Sequence, residues 1–176
     1  MLFKIFADID VFDIEIDQTN VDDFVKTVKA ISPTFGGINL EDIKAPECFE
    51  IEKRLKAELK IPIMHDDQHG TAIISAAALI NALELADKKI EDVKMVVNGA
   101  GAAAIACTKL YIALGLKKEN VLMCDSKGVI NHKREGLTPE KLDFIAHTDI
   151  ETLEDAVKGA DVFVGLSKGD VMSADM

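Results

Sequence analysis

A glycine-rich turn in the second half of the chain restricts the possible folds more than any other feature. The turn consists of Gly99, Ala100, Gly101, Ala102, Ala103 and Ala104. It follows the apolar segment 93–98, whose lack of alternation predicts a strand covered on both faces, as in a parallel sheet. It opens an apolar helix to about residue 114, and a second strand is predicted over residues 121–124. Parallel strands joined by a helix form a right-handed crossover, so this half predicts a doubly wound α/β domain.

The rest of the pattern extends this domain and predicts a smaller one before it. A last strand is predicted over residues 161–166, and helices are expected to begin near residues 138 and 153. Ahead of the turn, the sequence predicts short strands at 34–40 and 61–64 and helices at 21–31, 46–59 and 68–86. We therefore predict part of a smaller α/β domain over residues 1–86 and an incomplete Rossmann-type domain over residues 87–176.

Three expectations concern burial and the N-terminus. The helix at 68–86 is apolar nearly all round, which predicts deep burial. Residues 2–9 are apolar but lack a capping residue, which disfavours a helix there. Residues 11–16 alternate between acidic and apolar side chains, which predicts a half-buried strand.

Charge and cysteine usage limit the classes of partner and compartment. The chain has 20 basic and 31 acidic residues, giving a net charge of -11, which argues against binding to nucleic acid or to anionic membrane surfaces. The three cysteines, Cys48, Cys107 and Cys124, form no Cys-x-x-Cys pair, which favours a reduced, cytoplasmic compartment.

The glycine turn has the composition and context of a dinucleotide site. Gly99 permits a tight turn, Gly101 lets backbone approach a pyrophosphate, and the small Ala104 lets the helix lie against its strand. The helix N-terminus attracts the phosphates. Asp125, at the end of the next strand, is predicted to accept hydrogen bonds from the ribose hydroxyls. The alternative is a tight strand-to-helix turn without a ligand.

The choice between NAD and NADP stays open at this point. The charge of Asp125 favours NAD, because it would repel a 2′-phosphate. Ser126 and Lys127 weaken this preference for NAD without reversing it, because either side chain could contact that phosphate. Ser167, just after the last predicted strand, is expected to complete the pocket.

Two acidic pairs follow short apolar strands rather than lying on a charged helix face. Glu41 and Asp42 come after the strand at 34–40, and Asp66 and Asp67 come after the strand at 61–64. Adjacent carboxylates at such positions oppose folding unless a cation pairs with them. Their hard oxygen atoms suit Mg²⁺ or Mn²⁺. The alternative is a solvated acidic surface, which a chain of this charge often presents.

The sequence resembles the malic enzymes of the short bacterial type in four segments taken in order. These are Phe35 to Asp42 (FGGINLED), Pro62 with His65 to Ala72 (HDDQHGTA), Asn98 to Gly101 (NGAG) and Asp125 to Gly128 (DSKG). The resemblance implies that residues 1–86 belong to the catalytic, metal-binding domain, with Glu41, Asp42 and Asp67 as metal ligands. It implies that Asp66 orients a catalytic lysine and that Thr71 lies close to the dinucleotide.

The activity implied by the resemblance is oxidative decarboxylation of malate to pyruvate and CO2, with reduction of NAD or NADP, by a homodimer. The family's catalytic lysine would fall immediately before Met1, Lys4 matches a different family position, and the only tyrosine, Tyr111, lies after the glycine turn. The asparagines that hold malate would follow residue 176. We therefore expect the chain to correspond to the middle of a malic enzyme and to be inactive alone.

Other interpretations remain open from the sequence. A non-catalytic dinucleotide-binding fragment and a malolactic enzyme are both compatible with the motifs. His65 and His69 have the spacing of zinc-hydrolase ligands, although Asp66 is short for the general base and no third ligand is evident. His132 and His147 lie in polar surroundings and are predicted to be surface residues.

Overall fold

The computed structural model describes residues 2–17 and 20–176 and contains two sheets flanked by helices. The helices are α1 Leu2–Ala7, α2 Val21–Ile31, α3 Glu47–Glu58, α4 Asp66–Leu85, α5 Ala102–Ala113, α6 Pro139–Leu142 and α7 Leu153–Ala156. The strands are β1 Ile38–Leu40, β2 Ile63–His65, β3 Met95–Asn98, β4 Val121–Asp125, β5 Gly128–Val129 and β6 Val162–Gly165. In the described ranges, no helix combines the length and apolarity that a membrane crossing requires.

The first sheet is a parallel pair that ends in acidic residues. β1 pairs with β2 so that Leu40 lies opposite His65. The pair packs on α2 and α3 around a small apolar core that includes Val25, Ile51 and Leu55. Asn20 caps α2 by accepting hydrogen bonds from two backbone N–H groups of its first turn. Because the strands are parallel, their carboxyl ends meet at one edge, which brings the two acidic pairs together.

The second sheet confirms the doubly wound α/β prediction. Its strand order is β5-β4-β3-β6, with β3 parallel to both β4 and β6 and β5 antiparallel to β4. All four residues of β3 are buried, as its unalternating sequence predicts. The order places the end of β3 between the ends of β4 and β6, so the glycine turn leaves from the middle of the sheet.

Helix α4 links the two sheets. Four of its residues, Ala72, Ala76, Leu79 and Leu83, are buried in the same apolar core as the strands and helix of the second sheet. Its opposite face exposes three isoleucines and a leucine, so the expected deep burial holds for only one face. This packing favours a boundary before α4, while the predicted division at residues 86 and 87 stays a prediction.

The N-terminal residues differ from both predictions made for them. Residues 2–7 form the short helix α1 despite the missing cap, and residues 11–17 form neither helix nor strand. Phe6 and Phe12 are 82% and 72% exposed. Alternation alone does not produce a strand, because a strand also needs a neighbour for its backbone hydrogen bonds.

Candidate functional site

Gly99 allows β3 to end beside the end of β6. Its φ is +131°, which an L side chain rarely adopts, and its N–H donates to Cys124 O at 2.9 Å. A Cβ at this position would lie 2.5 Å from Leu166 O. Glycine is therefore required here by backbone conformation and by close approach of the neighbouring strand.

Gly101 has a different role, because space rather than conformation surrounds it. It is the N-cap of α5 with φ -90°, and a Cβ built on it meets nothing within 4 Å. Ala102, Ala103 and Ala104 follow in the first turn of α5, whose N–H groups lack intrahelical partners and attract anions. Ala104 is buried in the core, as predicted for a residue on which helix and strand meet. The space beside Gly101 is therefore open to a ligand.

The carboxyl ends of β3 and β6 are joined by a polar contact. Asn98 Nδ2 donates to Ser167 Oγ at 2.8 Å, and Asn98 is 7% exposed. Ser167 therefore lies beside the glycine turn, while its role in a cofactor pocket stays a prediction. Ala100, the second residue of the glycine turn, is partly buried and packs against the core of the second sheet.

Asp125 ends β4 and is held by two cationic side chains. Arg134 Nη2 donates to both carboxylate oxygens at 3.0 and 2.9 Å, and Lys141 Nζ donates at 2.9 Å. The backbone N–H of Lys127 donates at 2.9 Å. Burial raises the pKa of Asp125, but the hydrogen bonds from Lys141, Lys127 N–H and Arg134 outweigh it and lower that pKa. Asp125 is therefore ionised and its charge is more than balanced locally.

Arg134 also organises the residues after β4. Its Nη1 lies 3.4 Å from Gly128 O and 3.3 Å from Val129 O, the two residues of β5. Ser126 is exposed at the turn between β4 and β5. Sequence reasoning missed both Arg134 and Lys141, because no motif or periodicity ties them to Asp125.

The carboxylates of the first sheet gather at one edge, which we call the carboxylate edge (Glu41, Asp42, Asp66 and Asp67). Asn39 Nδ2 donates to Glu41 Oε1 at 2.7 Å. Burial and the charge of Asp66, with smaller contributions from Asp67 and Asp42, raise the pKa of Glu41 against the opposing effect of that hydrogen bond. The carboxylates are therefore close enough to repel one another.

The carboxylate edge is not a closed coordination shell. Among the residues that the structure describes, no three His, Cys, Asp or Glu side chains are arranged to hold one metal ion. The predicted convergence of Glu41, Asp42 and Asp67 on a single point is thus not seen, although the shared edge is. Glu41 is held by its hydrogen bond from Asn39. The oxygen-only donor set still fits Mg²⁺ or Mn²⁺.

Asp66 begins α4 and lies over the first turn of its own helix. A Cβ at Gly70 would collide with the Asp66 carboxylate, so glycine at this position makes room for it. Thr71 lies one residue further along α4 and is partly exposed. The HDDQHGTA segment therefore combines an acidic helix start with the glycine that accommodates it.

The two histidines of this segment do not form the pair that a zinc hydrolase needs. His65 ends β2, is fully buried, and its Nε2 lies 3.1 Å from Ile43 O. His69 lies on α4, and its Nε2 lies 2.8 Å from Glu52 Oε1. Zinc-hydrolase histidines share one helix face, whereas these two lie on different elements and contact different partners.

Two other groups considered as proton-transfer residues are engaged elsewhere. Lys4 Nζ forms ion pairs with Asp8 at 2.7 Å and Asp10 at 3.0 Å in the exposed N-terminal segment. Tyr111 is buried on α5, and its burial raises the pKa of its hydroxyl. Lys4 is thus paired with carboxylates of its own segment, and Tyr111 lacks the exposure that a general acid needs.

Two family models cover most of the chain. The model described as "Malic enzyme, NAD binding domain" matches residues 68–171, and the model described as "Malic enzyme, N-terminal domain" matches residues 1–56. The start of the first match, close to the start of α4, agrees with the packing of that helix on the second sheet.

Individual relatives agree with these models. The whole chain is 56% identical to an NADP-dependent malic enzyme of Escherichia coli and spans 24% of that relative's length. It is 54% identical to an NAD-dependent malic enzyme of Rhizobium meliloti and spans 23% of it. The crystal structure of an NAD-dependent malic enzyme from Thermotoga maritima matches with a TM-score of 0.91 and 44% identity, over 98% of this chain and 47% of the other.

Proposed function

This chain belongs to the malic enzyme family, and we propose that it forms the cofactor-binding region and part of the metal-binding region of an enzyme that converts malate to pyruvate and CO2 with reduction of NAD or NADP. The glycine turn carries this proposal. Gly101 is open to a ligand at the start of α5, while Asp125 and Ser167 flank it at the ends of the neighbouring strands. A plain structural turn does not need this combination.

The dinucleotide is assigned to the ends of β3, β4 and β6. The N–H groups at the start of α5 bind the pyrophosphate beside Gly101, and Asp125 with its cations faces the adenosine ribose. When bound, the dinucleotide accepts the hydride that leaves C2 of malate. The chain's contribution is to bind and orient it, with Thr71 of α4 close by.

The divalent metal is assigned to the carboxylate edge, with Glu41, Asp42 and Asp67 as ligands. Bound there, Mg²⁺ or Mn²⁺ would polarise the substrate carbonyl and stabilise charge on its oxygen as CO2 leaves. Burial, and after it the charge of Asp66, raise the pKa of Glu41, and a cation among these carboxylates would offset both effects, which supports the assignment. Asp66 is assigned to orient the lysine that removes the hydroxyl proton.

The contacts of Asp125 favour NADP as the coenzyme. The Asp125 carboxylate would repel a 2′-phosphate if it stood alone. Arg134 and Lys141 bring two positive charges against its one negative charge. The site therefore presents a net cation next to the position assigned to the ribose. Relatives of similar identity are named for NADP and for NAD, so this preference rests on the contacts.

We propose further that the 176-residue chain is inactive by itself. Lys4 is ion-paired with Asp8 and Asp10 and Tyr111 is buried, and loss of a positioned acid or base costs about 10²- to 10⁴-fold in rate. The division into a metal-binding part and a nucleotide-binding part, and the homodimer, belong to the same proposal.

Calorimetric titrations of the chain with NADP, NAD and Mn²⁺, together with an assay of malate-dependent NADP reduction, test the proposal. We expect binding of NADP and Mn²⁺ without turnover. Failure to bind either dinucleotide would refute the cofactor assignment, and turnover by the chain alone would refute the assignment of proton transfer.

A further inference from the structure

Two histidines that are far apart in the sequence stand side by side in the structure. Ala146 N donates to Ile130 O at 2.9 Å and His132 N donates to Ala146 O at 3.1 Å, which forms an isolated parallel bridge between Asn131 and Ala146. His132 and His147 are the next residues on the two bridged segments. Their rings are stacked, with centroids 6.4 Å apart and planes at 19°. The parallel register therefore holds both imidazoles on the same side.

The backbone that carries this pair is firmly anchored, although both histidines are exposed. Ile130 is fully buried, and Phe144, just ahead of the second histidine, is 5% exposed. Asn131 is 2% exposed, and its Nδ2 donates to Ile150 O at 2.9 Å. A bridge fixed in this way keeps the two rings adjacent before any ligand arrives, which reduces the entropy lost on binding.

We propose that His132 and His147 chelate one divalent transition-metal ion, such as Ni²⁺, Cu²⁺ or Zn²⁺, with water completing the coordination. Imidazole nitrogen suits these ions, whereas Mg²⁺ prefers oxygen. Metal–nitrogen bonds of about 2.0–2.1 Å keep two ligating nitrogens within about 4 Å of each other. Side-chain rotation must turn the nearly parallel ring planes so that one nitrogen of each imidazole faces the same ion.

The charged groups around the pair are compatible with a bound cation. Asp149 lies near His132, which contributes to lowering the pKa of Asp149 after the larger effect of Lys133. Lys133 Nζ forms ion pairs with Asp149 at 3.0 Å and Glu151 at 3.4 Å, so its charge is already balanced by two carboxylates. Within residues 2–17 and 20–176, no group of three or more ligands forms, so the site rests on two histidines.

Binding to this pair differs from binding at the carboxylate edge in its dependence on pH and on the ion. Protons compete with a metal ion for the imidazole nitrogens, so affinity falls at acidic pH. The order of affinity follows that of nitrogen ligands, with Mn²⁺ weaker than Ni²⁺ and Ni²⁺ weaker than Cu²⁺. The three cysteines are buried, and burial raises the pKa of Cys124 to about 11, so thiolates do not compete.

Calorimetric titration of the chain with NiCl2 tests the proposal without any assay of activity. Transition metals are removed from the chain beforehand, and the buffer contains millimolar Mg²⁺ to occupy oxygen sites. We expect one saturable Ni²⁺ per chain near pH 7.5, with affinity reduced about 10-fold or more in His132→Gln and in His147→Gln. His69→Gln is the matched control and should leave the affinity unchanged.

Circular dichroism spectra show whether the variants are folded. We expect them to be, because both histidine rings are exposed and their substitution disturbs no core packing. As a second measurement, Ni²⁺ should raise the melting temperature of the parent and of His69→Gln but not that of the doubly substituted His132→Gln, His147→Gln chain. Parent-like Ni²⁺ affinity in both single variants, or loss of binding only in His69→Gln, would overturn the proposal.

Discussion

Substitutions at Gly99 and Gly101 should separate folding from ligand binding, although the two glycines lie in the same turn. At Gly101, φ is -90° and a Cβ meets nothing within 4 Å, so Gly101→Val should change the free energy of unfolding by less than about 1 kcal/mol. The valine side chain would nevertheless occupy the space assigned to the pyrophosphate. Dinucleotide binding should therefore be lost while the fold is kept.

At Gly99, in contrast, substitution should lower the stability of the fold. Gly99→Ala adds a Cβ at φ +131° and 2.5 Å from Leu166 O. Backbone strain of about 1–3 kcal/mol and overpacking of similar size should lower the free energy of unfolding. Urea denaturation measures the stability of both variants, and calorimetry with NADP measures binding. Parent-like NADP binding by Gly101→Val would refute the site, and parent-like stability of Gly99→Ala would refute the described contact between β3 and β6.

Three further predictions concern the charged groups. Lys141→Gln should weaken NADP binding about tenfold or more, because a charge-assisted hydrogen bond contributes about 1.5–3 kcal/mol. The same substitution should change NAD binding little. Equal losses of NADP and NAD affinity in calorimetry would contradict the coenzyme assignment. The pKa of Asp125 is lowered in the folded state, so its ion pairs stabilise the fold above about pH 4, the unfolded value, and this contribution disappears as the pH falls through the folded pKa. Denaturation of the parent and Asp125→Asn across this range should therefore show a stability gap that narrows on acidification, and a constant gap would count against it. Asp67→Ala should weaken Mn²⁺ binding in calorimetry more than Asp66→Ala, because only Asp67 is assigned as a ligand; the opposite order would reassign the two residues.

The glycine turn and its flanking strands could be predicted because all of their determinants are local. An unalternating apolar strand, glycine at Gly99 and small residues up to Ala104 occur within a dozen positions, and each has one structural use. The ion pairs of Asp125, in contrast, could not be predicted from local sequence. Arg134 and Lys141 follow it by 9 and 16 positions, and only the folding of the segment after β4 brings them to the carboxylate.

The carboxylate edge and the N-terminal segment mark the other limits of prediction from sequence. Acidic pairs after two short strands predicted a shared cation site, but side-chain directions depend on partners such as Asn39 that no motif identifies. At residues 11–16, a period of two was not enough to form a strand, because the sequence cannot reveal whether another strand is available to pair with it.

Helix α4 has a mechanical consequence for the two proposed ligand sites. At about 1.5 Å of rise per residue, its 20 residues form a rod roughly 30 Å long. Asp66 and Asp67 lie at one end of this helix. Its side packs closely against α5, which begins at the glycine turn. If a ligand stiffens one end, less motion is left for a ligand at the other end to suppress, and we therefore expect the two binding events to favour each other. Linkage makes this preference equal in both directions, so Mn²⁺ should tighten NADP binding by the same factor by which NADP tightens that of Mn²⁺.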